Sequence, residues 1–138
     1  RDSNAGGAGT TSAGLAFGGK EPSPAVTANT ESWNGSAWTE VNNMNDDRRQ
    51  LVGTGTQTSA LAFSGEDPGT GSKTSTESWN GTNWSNVENL STGRVVADGS
   101  GASNTSALCF GGATALTNTE EWNGTGFVIK TTNTTTET

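Results

Sequence analysis

Acid–base or metal chemistry in this chain would have to run on carboxylates, lysine and arginine side chains and one thiol, because its 138 residues include no histidine, no tyrosine and a single cysteine. Asp46-Asp47 and Glu66-Asp67 are adjacent acids, and adjacent acids lack the spaced oxygen ligands of a calcium loop. Arg48, Arg49 and Arg94 could hold an anion. Bonds to carbonyls, or pairs with Asp46, Asp47 or Asp98, account for them more simply as braces. Cys109 lies in an apolar run, and without histidine no Cys–His dyad can form, so it reads as a small core residue. Five tryptophans offer flat faces on which a sugar could stack. Asn34, Asn80, Asn83, Asn89, Asn104, Asn123 and Asn133 head Asn-x-Ser/Thr acceptor patterns for glycosylation. A tight turn explains Asn34, Asn80 and Asn123 equally well. No catalytic residue, cofactor or metal is assigned on these grounds.

The elements that would position these groups announce themselves by repetition. Residues 30–38, 76–84 and 119–127 each run Thr-Glu-Ser/Glu-Trp-Asn-Gly and close on an aromatic, Trp38, Trp84 or Phe127. Asn-Gly between strand-compatible runs predicts a two-residue type I′ hairpin. Upstream of each lies a second phrase, Thr-Ser-Ala-(Gly)-Leu-Ala/Cys-Phe, ending at Phe17, Phe63 and Phe110. Those phenylalanines are 46 and 47 positions apart, and Trp33, Trp79 and Trp122 follow at 46 and 43. A period in the mid-forties means a repeat architecture. The apolar runs read as strands packed on both faces, and the Gly-rich segments before them as strands where side chains have little room. Each module is then four strands: Gly-rich, apolar, Trp-ending and aromatic-opening. The fold expected is all-β, with boundaries at 1–47, 48–93 and 94–138.

Composition agrees with thin, turn-dense β structure. Leu, Ile, Val and Phe are 18 of the 138 residues, a content at which a charged chain is suspected of disorder. Disorder, however, does not require aromatics to return at a fixed period. Phe17, Trp33, Trp38, Phe63, Trp79, Trp84, Phe110, Trp122 and Phe127 are therefore assigned to a repeated core rather than to ligand stacking. The net charge of −7, without a Lys/Arg cluster, argues against nucleic-acid or anionic-membrane partners, and no apolar run approaches the roughly 20 residues of a spanning helix.

The full pattern is Arg, a Gly-containing strand, an apolar strand ending in Gly-Gly, a Trp-bearing strand, then Trp-x-x-Val-x-x-Met/Leu (Trp38 to Met44, Trp84 to Leu90). It resembles the kelch repeat, over nearly the whole chain and three times. The resemblance implies one four-stranded β-propeller blade per module. Three features depart from the family pattern: Trp33, Trp79 and Trp122 stand where tyrosine is usual, the hairpin to the next aromatic is shorter than usual, and the second Gly-Gly is Ser64-Gly65. The wording of the two phrases is similar, more narrowly, to kelch-like repeats in structural proteins of marine bacteriophages. Arg1 falls where Arg48/Arg49 and Arg94 fall, so three whole modules are expected. Propellers close with about 4–8 blades, so three are expected either to be part of a longer polypeptide or to join other chains in a larger ring or extended assembly, two copies making six being the simplest closed option. The stretch 131–138 is expected to fray.

The segments 20–29, 66–75 and 113–118 differ between copies and hold Pro22, Pro24 and Pro68. Variation on a repeat scaffold sits in such loops, which nominates Lys20, Glu21, Glu66, Asp67, Lys73 and Thr114 for binding. The copper oxidases of this family need Tyr and His ligands, and sialidase-type propellers a Tyr nucleophile; neither residue is present. The expectation is thus a non-enzymatic virion structural or adhesion protein, a fibre or surface decoration, in a virion or extracellular setting. Its partners would be neighbouring copies, other particle subunits or host-surface glycans. A secreted adhesin or filament subunit is the alternative.

Overall fold

The structure, a computed structural model, describes residues 4–22, 25–113 and 116–130, and every regular element among them is a β-strand. Arg1, Pro24, Thr114, Asn133 and the stretch 131–138 lie outside the described residues. β1 (Gly6–Gly9), β2 (Gly14–Phe17), β3 (Thr30–Trp33) and β4 (Trp38–Val41) form the first antiparallel sheet, paired in chain order. β5 (Val52–Thr56) and β6 (Ser59–Phe63) open the second, a small hairpin of β7 (Glu66–Asp67) and β8 (Gly71–Ser72) interrupts it, and β9 (Thr76–Trp79) and β10 (Trp84–Asn86) complete it. The third is β11 (Asp98–Ser103), β12 (Ser106–Phe110), β13 (Thr119–Trp122) and β14 (Phe127–Lys130). One four-stranded sheet therefore falls in each of the stretches 1–47, 48–93 and 94–138.

The Asn-Gly connections differ from the two-residue hairpin expected. β3 ends at Trp33 and β4 begins at Trp38, so four residues make the link, and the same holds at 80–83 and 123–126. Only the glycine of each pair takes positive φ, as at Gly35 (95°). Asparagine works through its side chain instead: Asn34 Oδ1 accepts from the Ser36 and Ala37 amides, both at 2.9 Å. Asn80 and Asn123 do the same in their turns. An Asx-type turn of this kind satisfies the amides that a tighter hairpin would pair across the strands.

The core lies between sheets, because the period-2 alternation of each strand sends apolar residues to both faces. In β6, Leu61 and Phe63 point toward the third sheet, and Ala60 and Ala62 toward the first. The first junction is Leu15, Phe17 and Met44 against Leu51, Ala60, Ala62, Trp79 and Trp84. The second is Leu61, Phe63 and Leu90 against Ala107, Cys109 and Trp122, with Phe127 partly buried beside them. The Gly-rich strands run side by side, β1 against β5 and β5 against β11. They come so close that a Cβ on Gly53 would lie 2.5 Å from the Gly7 backbone.

The nine repeated aromatics are not buried alike. Phe17, Phe63, Trp79, Trp84 and Trp122 are buried, Trp33 and Phe127 half-buried, while Trp38 is 50% and Phe110 38% exposed. The reason is position in the stack. Trp38 faces away from the second sheet and Phe110 away from the second sheet on the opposite side, so neither has a neighbouring sheet among the described residues.

Candidate binding site

A cleft of about 640 Å³ opens beside the β7–β8 hairpin. Its walls are hydroxyls from Thr70, Ser72, Thr74 and Ser75, amides from Asn86 and Asn89, the Val87 side chain and the Lys73–Asp46 pair. Two ladders fix the hairpin. Arg49 and Glu66 exchange backbone hydrogen bonds at 3.0 and 2.9 Å, and Lys73 bridges to Arg94. The segment 66–75 is thus sewn at both ends to the links between sheets.

Charge in the cleft is internally balanced. Lys73 Nζ donates to Asp46 Oδ1 and, at 3.2 Å, to the Asp47 carbonyl. Burial works to raise the Asp46 carboxyl, but hydrogen bonds from Lys73 and Ser75, with the Arg48 charge nearby, outweigh it and hold the group below its ordinary value. A neutralised ammonium is a poor anion trap. A wall of hydroxyl and amide groups with one ion pair suits a polyhydroxylated, uncharged ligand that offers donors and acceptors in quantity.

Of the nominated loop residues, the cleft gathers Lys73. Glu66 is committed to Arg49, with carboxylate and guanidinium 2.7 Å apart. Asp67 Oδ1 accepts from the Gly69 amide at 2.8 Å, closing the hairpin turn. Lys20 pairs with Val26, and the Glu21 amide donates to the Ala25 carbonyl, so the first loop folds on itself away from this cleft. Thr114 is outside the described residues. Among the described residues no three His, Cys, Asp or Glu side chains cluster as metal ligands would.

Two glutamates escaped sequence reasoning. Glu77 and Glu120, from the Thr-Glu-Ser/Glu-Trp strands, are fully buried and pair with fully buried Arg48 and Arg94 at 2.9 Å. Glu77 also accepts from the Asn45 and Asp46 amides at 2.7 and 3.2 Å, and Glu120 from the Ser91 amide at 2.9 Å. Each carboxylate therefore clamps the link arriving from the preceding sheet. Arg94 adds bonds to the Gly111 and Asn118 carbonyls, and Arg48 one to Ala62. The signal was available: a glutamate two residues before a buried Trp shares its face, so an acid recurring at every period calls for a cation at every period. Gln57 and Asn104 were missed too; Gln57 Nε2 donates to the Trp33 carbonyl at 2.6 Å and Asn104 Nδ2 to the Trp79 carbonyl at 3.1 Å, tying each sheet to the one before.

Cys109 lies in the second junction, fully buried. Burial pushes its thiol up to about 12, the nearby Arg94 charge opposing and Glu120 adding. That is an inert thiol. No protein-family model matches this chain, and no curated protein does. Among solved structures it is similar to YjhT, with a TM-score of 0.73 and 15% sequence identity, over 94% of this chain and 45% of that one. Identity at that level speaks to fold alone, and this chain matches less than half the length of YjhT.

Proposed function

We propose that the three sheets are kelch-like blades of a β-propeller, and that the chain is a non-enzymatic structural or adhesion protein on the outside of a virion, presenting its variable loops to host-surface glycans. The observation that carries the reading is the division of labour between repeated and unrepeated residues. Repeated aromatics and Arg–Glu pairs hold sheet to sheet. The unrepeated segment 66–75 builds a hydroxyl- and amide-lined cleft that is charge-neutral within itself. Such a cleft recognises sugars by hydrogen bonding, and without an aromatic floor its affinity for one site is low. Many copies on one particle compensate by multivalency. The acidic surface limits non-specific adhesion to nucleic acid and to anionic membranes.

Two measurements test this. Mass spectrometry of purified particles is expected to find the chain in the virion fraction. Glycan-array binding of the chain displayed multivalently is expected to give selective signals that Ser75→Ala and Asn86→Ala weaken. Absence from particles overturns the virion role. Array signals indifferent to both substitutions overturn the cleft.

A further inference from the structure

The three Asn-Gly turns are one geometry built three times. The amides of Asn34, Asn80 and Asn123 donate to the carbonyls of Ala37, Asn83 and Gly126, at 3.2 Å in each case. The glycines that follow take φ of 95°, 96° and 94°. Each Oδ1 accepts from the second and third amides on, at 2.9 and 2.9 Å for Asn34, 2.9 and 2.9 Å for Asn80, and 3.0 and 3.1 Å for Asn123. All three dipeptides are exposed. One donor sets them apart. The Ser36 hydroxyl adds a hydrogen bond to Asn34 Oδ1 at 2.9 Å, and the Thr125 hydroxyl adds one to Asn123 Oδ1 at 2.7 Å. Among the described residues, Asn80 Oδ1 receives the two amides alone.

This arrangement bears on a reaction that an asparagine undergoes with its own backbone. The glycine nitrogen attacks Asn Cγ, forming the N–Cγ bond and giving up its proton to solvent base. The Cγ–Nδ2 bond then breaks, and Nδ2 leaves as ammonia with a proton taken from solvent. Water opens the cyclic imide at either carbonyl, leaving aspartate or isoaspartate. Glycine suits the attack because it has no Cβ to obstruct it. Among the described residues nothing accepts from the Gly35, Gly81 or Gly124 amides, so each nitrogen is uncommitted. Negative charge develops on Oδ1 as Cγ becomes tetrahedral. The donors aimed at Oδ1 lie where that charge appears, and a hydrogen bond to an ionised oxygen is about twice as strong as one to a neutral carbonyl. They stabilise the transition state more than the resting carboxamide.

We propose that Asn34 and Asn123 are self-modifying sites, converted to aspartate and isoaspartate by their own turns, and that the hydroxyl two residues on makes them faster than Asn80. Each event adds one negative charge to an exposed hairpin tip. The aspartate product keeps the oxygen that accepts the turn amides. The isoaspartate product draws that carbonyl into the main chain and loosens the turn. A second difference bears on the order. Asn42 Nδ2 donates to the Thr82 carbonyl at 3.0 Å and to Asn83 Oδ1 at 2.9 Å, so the Asn80 turn is also clasped from the first sheet. The hydroxyl and the clasp make different predictions when each is removed. Neither the blade reading nor the virion role enters the proposal.

Incubation of the folded chain at mildly alkaline pH, followed by peptide mapping with mass spectrometry, reads the three sites side by side. Asn34 and Asn123 are expected to convert about five-fold faster than Asn80, the effect of one hydrogen bond that strengthens in the transition state. Ser36→Ala and Thr125→Val remove exposed hydroxyls, and near-UV circular dichroism checks that the tryptophan packing is kept. Each should slow its own site to the Asn80 rate and leave the other site unchanged. In guanidinium chloride, where the turns are lost, the three sites should convert alike. Rates that are equal or too slow to measure in the folded chain, an Asn80 that leads, or hydroxyl-free variants that keep the fast rate each overturn the proposal. An Asn42→Ala variant whose Asn80 rises to the rate of the other two would assign the order to the clasp and overturn it as well. So would an order that persists in guanidinium chloride, since sequence alone would then set it.

Discussion

Ser64 occupies a backbone position that glycine holds in the other two modules. Its φ of 62° matches Gly18 at 62° and Gly111 at 68°, yet it carries a side chain there, buried, with an Oγ that finds no partner. A non-Gly residue held in the left-handed region costs on the order of 1–3 kcal/mol, and an orphaned hydroxyl adds to that. Ser64→Gly should therefore raise stability by about 1 kcal/mol after the extra freedom of glycine in the unfolded chain is subtracted. A urea titration reads it; a lower midpoint would show that the hydroxyl is supporting something. Cys109 gives a pH prediction of known sign. The folded thiol titrates at about 12, above its ordinary value near 9, so its contribution is fully present below the unfolded value and is lost as pH rises through the folded one. Cys109→Ala should flatten the alkaline loss of stability between those limits, and the native thiol should resist Ellman's reagent. Asp46 runs the other way. Its depressed carboxyl contributes stability above the unfolded value of about 3.9 that is lost as pH falls through the lower folded one. Removing the opposing lysine, by Lys73→Ala, should move its NMR titration midpoint upward. At this scale Cys109 was legible because it aligns with Ala16 and Ala62. The conformation of Ser64 was legible only as a broken Gly-Gly.

The strands were legible because two phrases repeat in phase, and alternation within them assigns each side chain a face. The hairpins were misread for a definite reason. Asn-Gly reports where a chain turns, but it does not say whether asparagine contributes through its backbone or its Oδ1, and here it is Oδ1 that accepts the turn amides. The Arg–Glu clamps were hidden because an acid in a strand looks like a solvent-facing residue until a buried Trp two positions on reveals its side. These clamps fix each sheet to the link that precedes it, and they do so with full desolvation. Their Nε atoms also lack partners, which leaves the pairs with little reserve. Removing one member strands a buried charge, at about 3–5 kcal/mol. Arg94→Met should accordingly lower unfolding free energy by about 3 kcal/mol or more in a urea titration. Arg94→Met/Glu120→Leu should recover part of that, since no buried charge is then left unpaired, although the Ser91 amide loses its acceptor and the Gly111 and Asn118 carbonyls lose the Arg94 donor. A double variant less stable than the single would mean that the glutamate, not the pair, holds the link.

Three sheets stacked in sequence order make the molecule quasi-one-dimensional, so its stability is a sum of module and junction contributions rather than of one central core. The middle sheet has a neighbour on each face, and Ala60, Leu61, Ala62 and Phe63 are all 0% exposed. The outer sheets have one described neighbour each and carry Trp38, Leu108, Phe110 and Val128 toward solvent. Local opening should follow that gradient. Amide hydrogen exchange should be slowest in β6 and β9 and fastest in β4 and β14. The loop 66–75 should exchange more slowly than its exposure suggests, because Arg49 and Arg94 pin it. Uniform protection across all three sheets would instead mean that they open together, and the additive picture of stacked modules would fail.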